Sequence, residues 1–210
     1  LRKALRVARS AGSFEEAYAL FLDEWEPGSS PAGNFEGTAF AGSPDSIKDV
    51  SGTERLLYWD AVGYLPDDIL CKVDRAAMAV SLETRVPFLD HRVADVAARI
   101  PIAMKINGGR GKQILRKLLF REAPPELFDR PKAGFAVPVG DWLKGPLRPW
   151  AEELLDPARM RSEGWFDPAP VQRRWRDHLS GRADATAALW AVLMFQSWLK
   201  AQDGALAEAA

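Results

Sequence analysis

Cysteine is nearly absent from this chain, with a single residue at position 71 among 210. One thiol excludes an intrachain disulfide framework, and its place within an apolar helical pattern fits a buried structural thiol in a reducing cytoplasm. Histidine is almost as scarce. His91 and His178 stand too far apart for metal-ligand spacing, and no Cys/His cluster accompanies them, so no metal site is expected. No apolar run approaches the roughly 18 to 20 residues that span a bilayer, and the first residues lack a secretion-type apolar segment, so no membrane partner is expected. Excess charge is missing as well: 28 Lys and Arg face 29 Asp and Glu, a formal net charge of -1. Without a global field to recruit nucleic acid, the balance points to a small-molecule partner. The chain also has no internal repeat and no alternating apolar/polar run long enough to make a strand.

What remains is material for helices. With 47% hydrophobic residues, the chain can bury one sizeable core, or a core plus a small satellite, and residues 1–210 are expected to form one domain. The chain starts at Leu1 and enters a helical pattern at once (Leu1, Leu5, Val7, Ala8), which reads as a fragment of something longer. Gly12 closes that first helix. Ser13 followed by Glu15 and Glu16 signals the N-cap of a second one reaching about Trp25. Residues 26–46 shift to Pro, Gly and Ser and are expected to form a mobile, exposed loop. Leu56, Leu57, Ala61 and Tyr64 then give a helical stripe that should end at Leu65-Pro66. Val93, Val96, Ala97 and Ile100 predict a short helix stopped by Pro101, and a further helix is expected over 112–121 with Ile114, Leu115, Leu118 and Leu119 on its apolar face. Residues 127–143 carry too little periodicity for a helix and should form an ordered, packed loop. Helices are expected again over 147–155, 168–179 and 185–201, with Leu189, Trp190, Leu193, Met194, Phe195, Trp198 and Leu199 as core.

The segment 65–91 stands out from this background. It begins as an amphipathic helix with Ile69, Leu70, Val73, Ala76, Ala77 and Val80 on one stripe, then breaks and places Glu83, Arg85 and Asp90 around Pro87. Leu82, Val86, Phe88 and Leu89 alternate with these charges and should hold the segment against a core, where charges need partners or a ligand. Arg85 and Asp90 either bind substrate or pair with each other to brace the loop, and bracing is preferred. Asp74 and Arg75 fit a structural ion pair as well as they fit a catalytic duty.

Other clusters have plainer readings. Gly108-Gly-Arg-Gly-Lys112 has glycines that expose backbone N–H groups before a helix N-terminus, as an anion cradle would, but it lacks P-loop spacing and a preceding strand, so a helix-entry turn is favoured. Lys112 and Arg116 lie one turn apart and can face the same anion, although Lys112 also serves simply to begin the helix. Arg173-Arg174-Trp-Arg176 fits a solvated helix face better than a nucleic-acid contact. Glu83 and Lys132 both sit in irregular, Pro-containing segments bracketed by apolar residues, where residue type alone favours a salt bridge.

The motifs Tyr64-Leu-Pro-Asp-Asp-Ile-Leu, Lys72-Val-Asp-Arg-Ala-Ala-Met, Ser81-Leu-Glu-Thr-Arg-Val-Pro-Phe-Leu-Asp-His, Gly111-Lys-Gln-Ile-Leu-Arg and Arg130-Pro-Lys-Ala-Gly-Phe-Ala-Val-Pro resemble, in order, the C-terminal synthetase domain of glutamine-dependent asparagine synthetases. The similarity covers roughly residues 50–200. It implies ATP-dependent amidation of aspartate: a carboxylate attacks the α-phosphorus, pyrophosphate leaves, and ammonia from a glutaminase domain of the same polypeptide displaces AMP from the β-aspartyl-AMP intermediate. ATP enters as a substrate with Mg2+, aspartate and ammonia are the other small-molecule partners, and the full-length protein is expected to allow a homodimer. In this resemblance Lys132 stabilises the phosphate charge and Glu83 positions the intermediate and accepts a proton. Leu82 and Glu83 match positions lining the ATP pocket, and Arg85, Asp90, Lys112 and Arg116 are further candidates for ATP or substrate binding.

The family's Ser-Gly-Gly-x-Asp-Ser pyrophosphate loop and leading cysteine are not in this sequence, and Cys71 matches a helix position. The expected fold is therefore a mainly α body, the C-terminal helical portion of a PP-loop, Rossmann-like α/β nucleotide-binding domain, with little activity by itself. Two alternatives stand beside this reading: a related amidotransferase acting on another carboxylate, on a cell-surface sugar or a peptide, and a non-catalytic helical interaction module.

Overall fold

The computed structural model describes residues 7, 9, 11–26, 28–32, 50–129 and 137–208. Helices dominate, and no strand occurs among the described residues. Backbone contacts divide the chain into two compact units, one formed by Leu1–Gly37 with Phe135–Ala210 and the other by Thr38–Gly134.

The first unit holds the core. Helix α1 (Phe14–Leu22) starts where Ser13 Oγ accepts the Glu16 N–H at 3.1 Å, the expected cap. It stops before Trp25, because the Asp23 carboxylate takes the Trp25 N–H at 2.9 Å and the backbone turns extended. The remaining helices of this unit lie in the second half of the chain. Leu143, Leu154, Met160, Val171, Leu189 and Leu193 are all at most 1% exposed and pack into one cluster, with Trp25, Trp150 and Trp190 against it. Trp150 and Trp190 meet with ring centroids 6.1 Å apart. The core assigned to the last helix is correct at Leu189 and Leu193, whereas Trp198 keeps 56% of its surface exposed.

Two helices of this unit were not foreseen. Val139–Lys144 is helical inside the segment expected to be a loop, with the Pro138 carbonyl accepting from Asp141 and Trp142. Six residues are too few to display a 3.6-residue period, which is why the pattern read as irregular. Pro157–Glu163 has one buried side chain, Met160, and so no stripe. Its end signals were nevertheless present in the sequence: Asp156 accepts from the N–H groups of Ala158 and Arg159 at 3.0 and 2.8 Å, Pro157 occupies the first turn, and Gly164 closes the helix at φ 73°. The final helices, Pro168–Leu179 and Thr186–Glu208, agree with expectation at their starts. Trp175 is only 5% exposed, so its ring is committed to the core and not offered to a base, while Arg174 lies 5.5 Å over the Trp25 ring.

In the second unit, α2 (Gly52–Trp59) begins with a capping box in which Ser51 and Glu54 exchange side-chain and backbone bonds. The helical path does not end at Leu65-Pro66 as expected. It continues through Asp60–Leu70 in wide π-helical turns and joins α3 (Cys71–Met78). Pro66 has no N–H to give to the preceding turn, and the widened spiral accommodates it while the Pro66 carbonyl still accepts from Cys71 five residues on. Asp90 caps α4 (His91–Arg99) through the Arg92 N–H at 2.9 Å, and Pro101 ends it. Gly108 and Gly109, at φ 56° and 72°, form a tight turn in which Asn107 and Arg110 exchange backbone bonds at 3.0 Å, leading into α5 (Gln113–Glu122).

Trp59 is the one buried hydrophobic residue among the described residues of this second unit. The stripes predicted on α3, α4 and α5 exist but are not covered: Val73, Val96 and Leu118 are 40%, 61% and 51% exposed. Leu82, Val86, Phe88 and Leu89 likewise do not pin the 82–90 segment to a core, since each is exposed by 42% or more. Short helices in sequence cannot cover each other's apolar faces without a further layer. Cys71 is half-buried, short of the fully buried thiol expected.

Candidate functional site

The candidate site residues fall on two stretches of the second unit. The first begins where α3 ends. Ser81, at φ 58°, reverses the hand of the backbone, and the Leu82 N–H returns to the Ala77 carbonyl at 3.0 Å, releasing an extended segment that carries Leu82 and Glu83. The Glu83 carboxylate forms an ion pair with Arg85, both side chains being largely exposed. Asp90 pairs with Arg92, through Nε at 2.9 Å and Nη2 at 2.6 Å. The expected brace between Arg85 and Asp90 is therefore replaced by two local pairs. Residues two apart on non-helical backbone meet at lower entropic cost than residues five apart across Pro87.

Arg85 and Asp90 do share a surface. With Leu70, Val73, Asp74, Thr84, Val86, Pro87 and Leu89 they line a groove of about 470 Å³ between α3 and the following loop. Asp74 and Arg75 have no ion-pair partner among the described residues, and Asp74 faces this groove instead. Hydrogen bonds from Arg92, chiefly through its side chain, hold the Asp90 carboxyl below the usual aspartate range, and Asp90 in turn raises Arg92. Asp90 is thus an ionised, half-buried wall of the groove.

The second stretch is the glycine turn and α5. The turn is internally satisfied: besides the Asn107–Arg110 bonds, the Gln113 amide donates to the Arg110 carbonyl at 3.1 Å. It is the helix-entry turn that was favoured. Lys112 takes the left-handed conformation, φ 59°, directly before the first helical residue. The Arg116 guanidinium is bound to Asp129 at 2.6 Å, and Arg110 adds a second contact to the same carboxylate at 3.1 Å. These bonds, with the Arg116 hydrogen bond dominant, hold Asp129 below the usual range. No hydrogen bond or ion pair joins Lys112 or Arg116 to Glu83, Arg85 or Asp90. Lys132, and residues 27 and 33–46 of the loop expected over 26–46, lie outside the described residues; in the described part Pro31 is buried and its carbonyl accepts the Asp167 N–H at 2.8 Å, so the segment is not exposed there.

Asp129 and Arg110 were not singled out from the sequence, and separations of 13 and 19 residues from their partners leave no periodic signal to find them. Among the described residues no group of three or more His, Cys, Asp or Glu could hold a metal ion, and no helix is long and apolar enough to cross a membrane.

A charged loop and an open, partly apolar groove on a helical unit are the parts of a candidate small-molecule site. Comparison with known proteins supplies its kinship: the chain belongs to the asparagine synthase family, whose model matches residues 2–200. It is similar to asparagine synthetase (glutamine-hydrolyzing) 1 of Bacillus subtilis strain 168, 35% identical over 148 residues, which is 70% of this chain and 23% of that protein. A putative asparagine synthetase of Mycobacterium tuberculosis H37Rv is 39% identical over 145 residues, 69% of this chain and 22% of its own. The human glutamine-hydrolyzing asparagine synthetase is 31% identical over 184 residues, 78% of this chain and 30% of its own. The chain thus spans less than a third of these curated relatives. No solved structure matches it significantly.

Proposed function

We propose that this chain is the C-terminal part of the synthetase domain of a glutamine-hydrolysing asparagine synthase, its helices forming the outer portion of a PP-loop, Rossmann-like α/β domain. The reading rests on the family match across residues that include 81–91, where Glu83 stands exposed on an extended loop. In the complete enzyme, a carboxylate oxygen of aspartate bonds to the α-phosphorus of ATP as the bond to pyrophosphate breaks. Ammonia then bonds to the acyl carbon, AMP leaves, and the proton shed by the attacking nitrogen passes to Glu83. An ion pair as exposed as Glu83–Arg85 is cheaply opened, so Arg85 can release Glu83 when ligand arrives. Lys132 supplies a mobile cation to the departing phosphates. Leu82 contributes to the ATP pocket, Arg85 and Asp90 to the groove, and Lys112, whose ammonium has no partner among the described residues, to phosphate binding; Arg116 acts through Asp129 as a brace.

Mg2+ enters with the phosphates of ATP. The described residues build no metal cluster, and no protein ligand is assigned to it. Ammonia comes from a glutaminase domain outside these 210 residues, so the chain alone is expected to be inactive. A cytoplasmic setting and a homodimer of the complete protein complete the proposal. The test is aspartate-dependent release of pyrophosphate from ATP by the complete polypeptide, with asparagine measured in parallel. Glu83→Ala should abolish asparagine formation with the fold intact, as should Lys132→Ala. Normal turnover in both variants would falsify these roles. Pyrophosphate release that requires another carboxylate would move the acceptor to a sugar or peptide, and no ATP turnover with any acceptor would leave the helical interaction module.

A further inference from the structure

The geometry points to Asp129 as a positioning residue: by joining the guanidinium groups of Arg116 and Arg110, it fixes the point from which the chain departs toward Lys132, an inference that rests on the role proposed for Lys132. The three side chains come from three places in the second unit. Arg116 lies in α5, Arg110 in the glycine turn before it, and Asp129 just beyond the short turn Pro125–Leu127 that follows it. Arg116 Nη1 donates to Asp129 Oδ1 at 2.6 Å and Arg110 Nη2 to Oδ2 at 3.1 Å, so each carboxylate oxygen serves its own partner. A third bond, from the Asp129 N–H to the Pro125 carbonyl at 2.7 Å, holds the backbone at the same residue.

Lys72–Asp68, Glu83–Arg85 and Asp90–Arg92 join residues two to four apart, whereas the bonds of Asp129 span 13 and 19 residues. They therefore tie together parts of the chain that no local pattern brings together. The Asp129 and Arg116 side chains keep only 26% and 30% of their surface exposed, and charge-assisted bonds so placed are screened less than those on the open surface. The Arg116 hydrogen bond above all keeps the Asp129 carboxyl below the usual aspartate range, so the brace is fully charged near neutral pH. Lys132 follows three residues later, behind Pro131. Proline fixes its own φ and biases the residue before it away from the helical region, so few soft dihedrals separate the anchor from the lysine. A shift of Asp129 is passed on to Lys132 more than it is absorbed between them. Asp129 acts through Lys132; an ionised carboxylate with both oxygens engaged is a poor ligand for phosphate.

The experiment compares Asp129→Asn and Asp129→Glu with wild type in the complete polypeptide, by aspartate-dependent pyrophosphate release and by limited trypsin digestion with mass mapping. Asparagine has one acceptor oxygen and no charge and cannot bridge two guanidinium groups; glutamate keeps the charge and both oxygens on a longer stem. For Asn, kcat should fall by about tenfold to a hundredfold, the scale of a misplacement of up to about 1 Å, while KM for ATP holds. Glu should stay close to wild type. Trypsin cuts after Lys132 but not between Arg130 and Pro131, so cleavage after Lys132 reports on this segment; it should quicken several-fold in Asn with other sites unchanged. A change in KM for ATP at constant kcat would make the two arginines ligands of the nucleotide and overturn the inference. So would a kcat in Asn equal to wild type, or cleavage that quickens at all sites alike, the mark of general loosening. Should Asn fail to fold by circular dichroism, Arg110→Gln decides, since it removes the more exposed partner and leaves the Arg116 bond: a fall in kcat supports the brace and an unchanged kcat overturns it. A wild type without aspartate-dependent pyrophosphate release, or normal turnover in Lys132→Ala, refutes the functional reading instead, and the trypsin comparison then decides on the brace by itself.

Discussion

Replacing Gly140 by alanine should destabilise the first unit, although alanine is the better helix former. Gly140 lies in the helix Val139–Lys144, where its missing side chain lets Thr186 and His178 approach. A Cβ there would stand 2.5 Å from Thr186 Oγ1 and 3.4 Å from His178 Cε1. His178 is fully buried, and its Nε2 lies 3.0 Å from the Gly140 carbonyl, so the ring resists displacement. Thr186 donates from Oγ1 to Asp184 at 2.6 Å, and its N–H donates to the same oxygen at 3.0 Å. The new methyl group must either push the helices apart or turn the Thr186 hydroxyl away from its acceptor. Either route costs about 1–3 kcal/mol, and alanine in a helix offsets about 1 kcal/mol of it. The net expectation is a loss of about 0–2 kcal/mol, measured by urea denaturation. In a Thr186→Ala background the nearest obstacle disappears, leaving the former Thr186 Cβ at 3.7 Å, an ordinary contact. Gly140→Ala should then be neutral or stabilising. A second readout comes from Asp184, whose carboxyl is held below the usual range chiefly by the Thr186 hydroxyl and should rise in the single variant. A Gly140→Ala protein more stable than wild type, or a penalty that persists without the Thr186 hydroxyl, would refute the reasoning.

Two further outcomes test the contrast between the units. Leu189→Ala empties a fully buried core position and should cost about 2–5 kcal/mol, whereas Leu118→Ala, at a half-exposed site, should stay within about 0.5 kcal/mol in the same 210-residue chain; equal losses would mean that α5 has a covered face. Asp129→Asn should weaken the tie from the segment before residue 130 to Arg116 and Arg110. Because the folded-state pKa of Asp129 is depressed, its contribution is complete above the ordinary aspartate value and is lost as pH falls through the folded value. The gap in urea midpoint between wild type and variant should accordingly be widest near neutral pH, narrow below about pH 4 and shrink in high salt, while a gap independent of pH would show that the charge is not involved.

The order of residues by itself determined where most helices begin and end, because those signals are local. Ser13, Ser51 and Asp90 cap by reaching two or three residues ahead, and Pro101 and the Pro124-Pro125 pair stop helices by removing N–H groups. The motifs carried by 81–91 and its neighbours identified the family for the same reason, since they are contiguous strings. Pro66 departs from the local rule that proline ends a helix, because the spiral widens around it. What the tertiary structure decided is which charges meet and which apolar faces are covered. Arg116 meets Asp129 thirteen residues on, Arg85 pairs with Glu83 and not with Asp90, and the stripes of α3 to α5 proved uncovered while those around Leu189 closed into a core. Pairing depends on distance in space and coverage on a second layer, and neither is written in the spacing of residues along one helix.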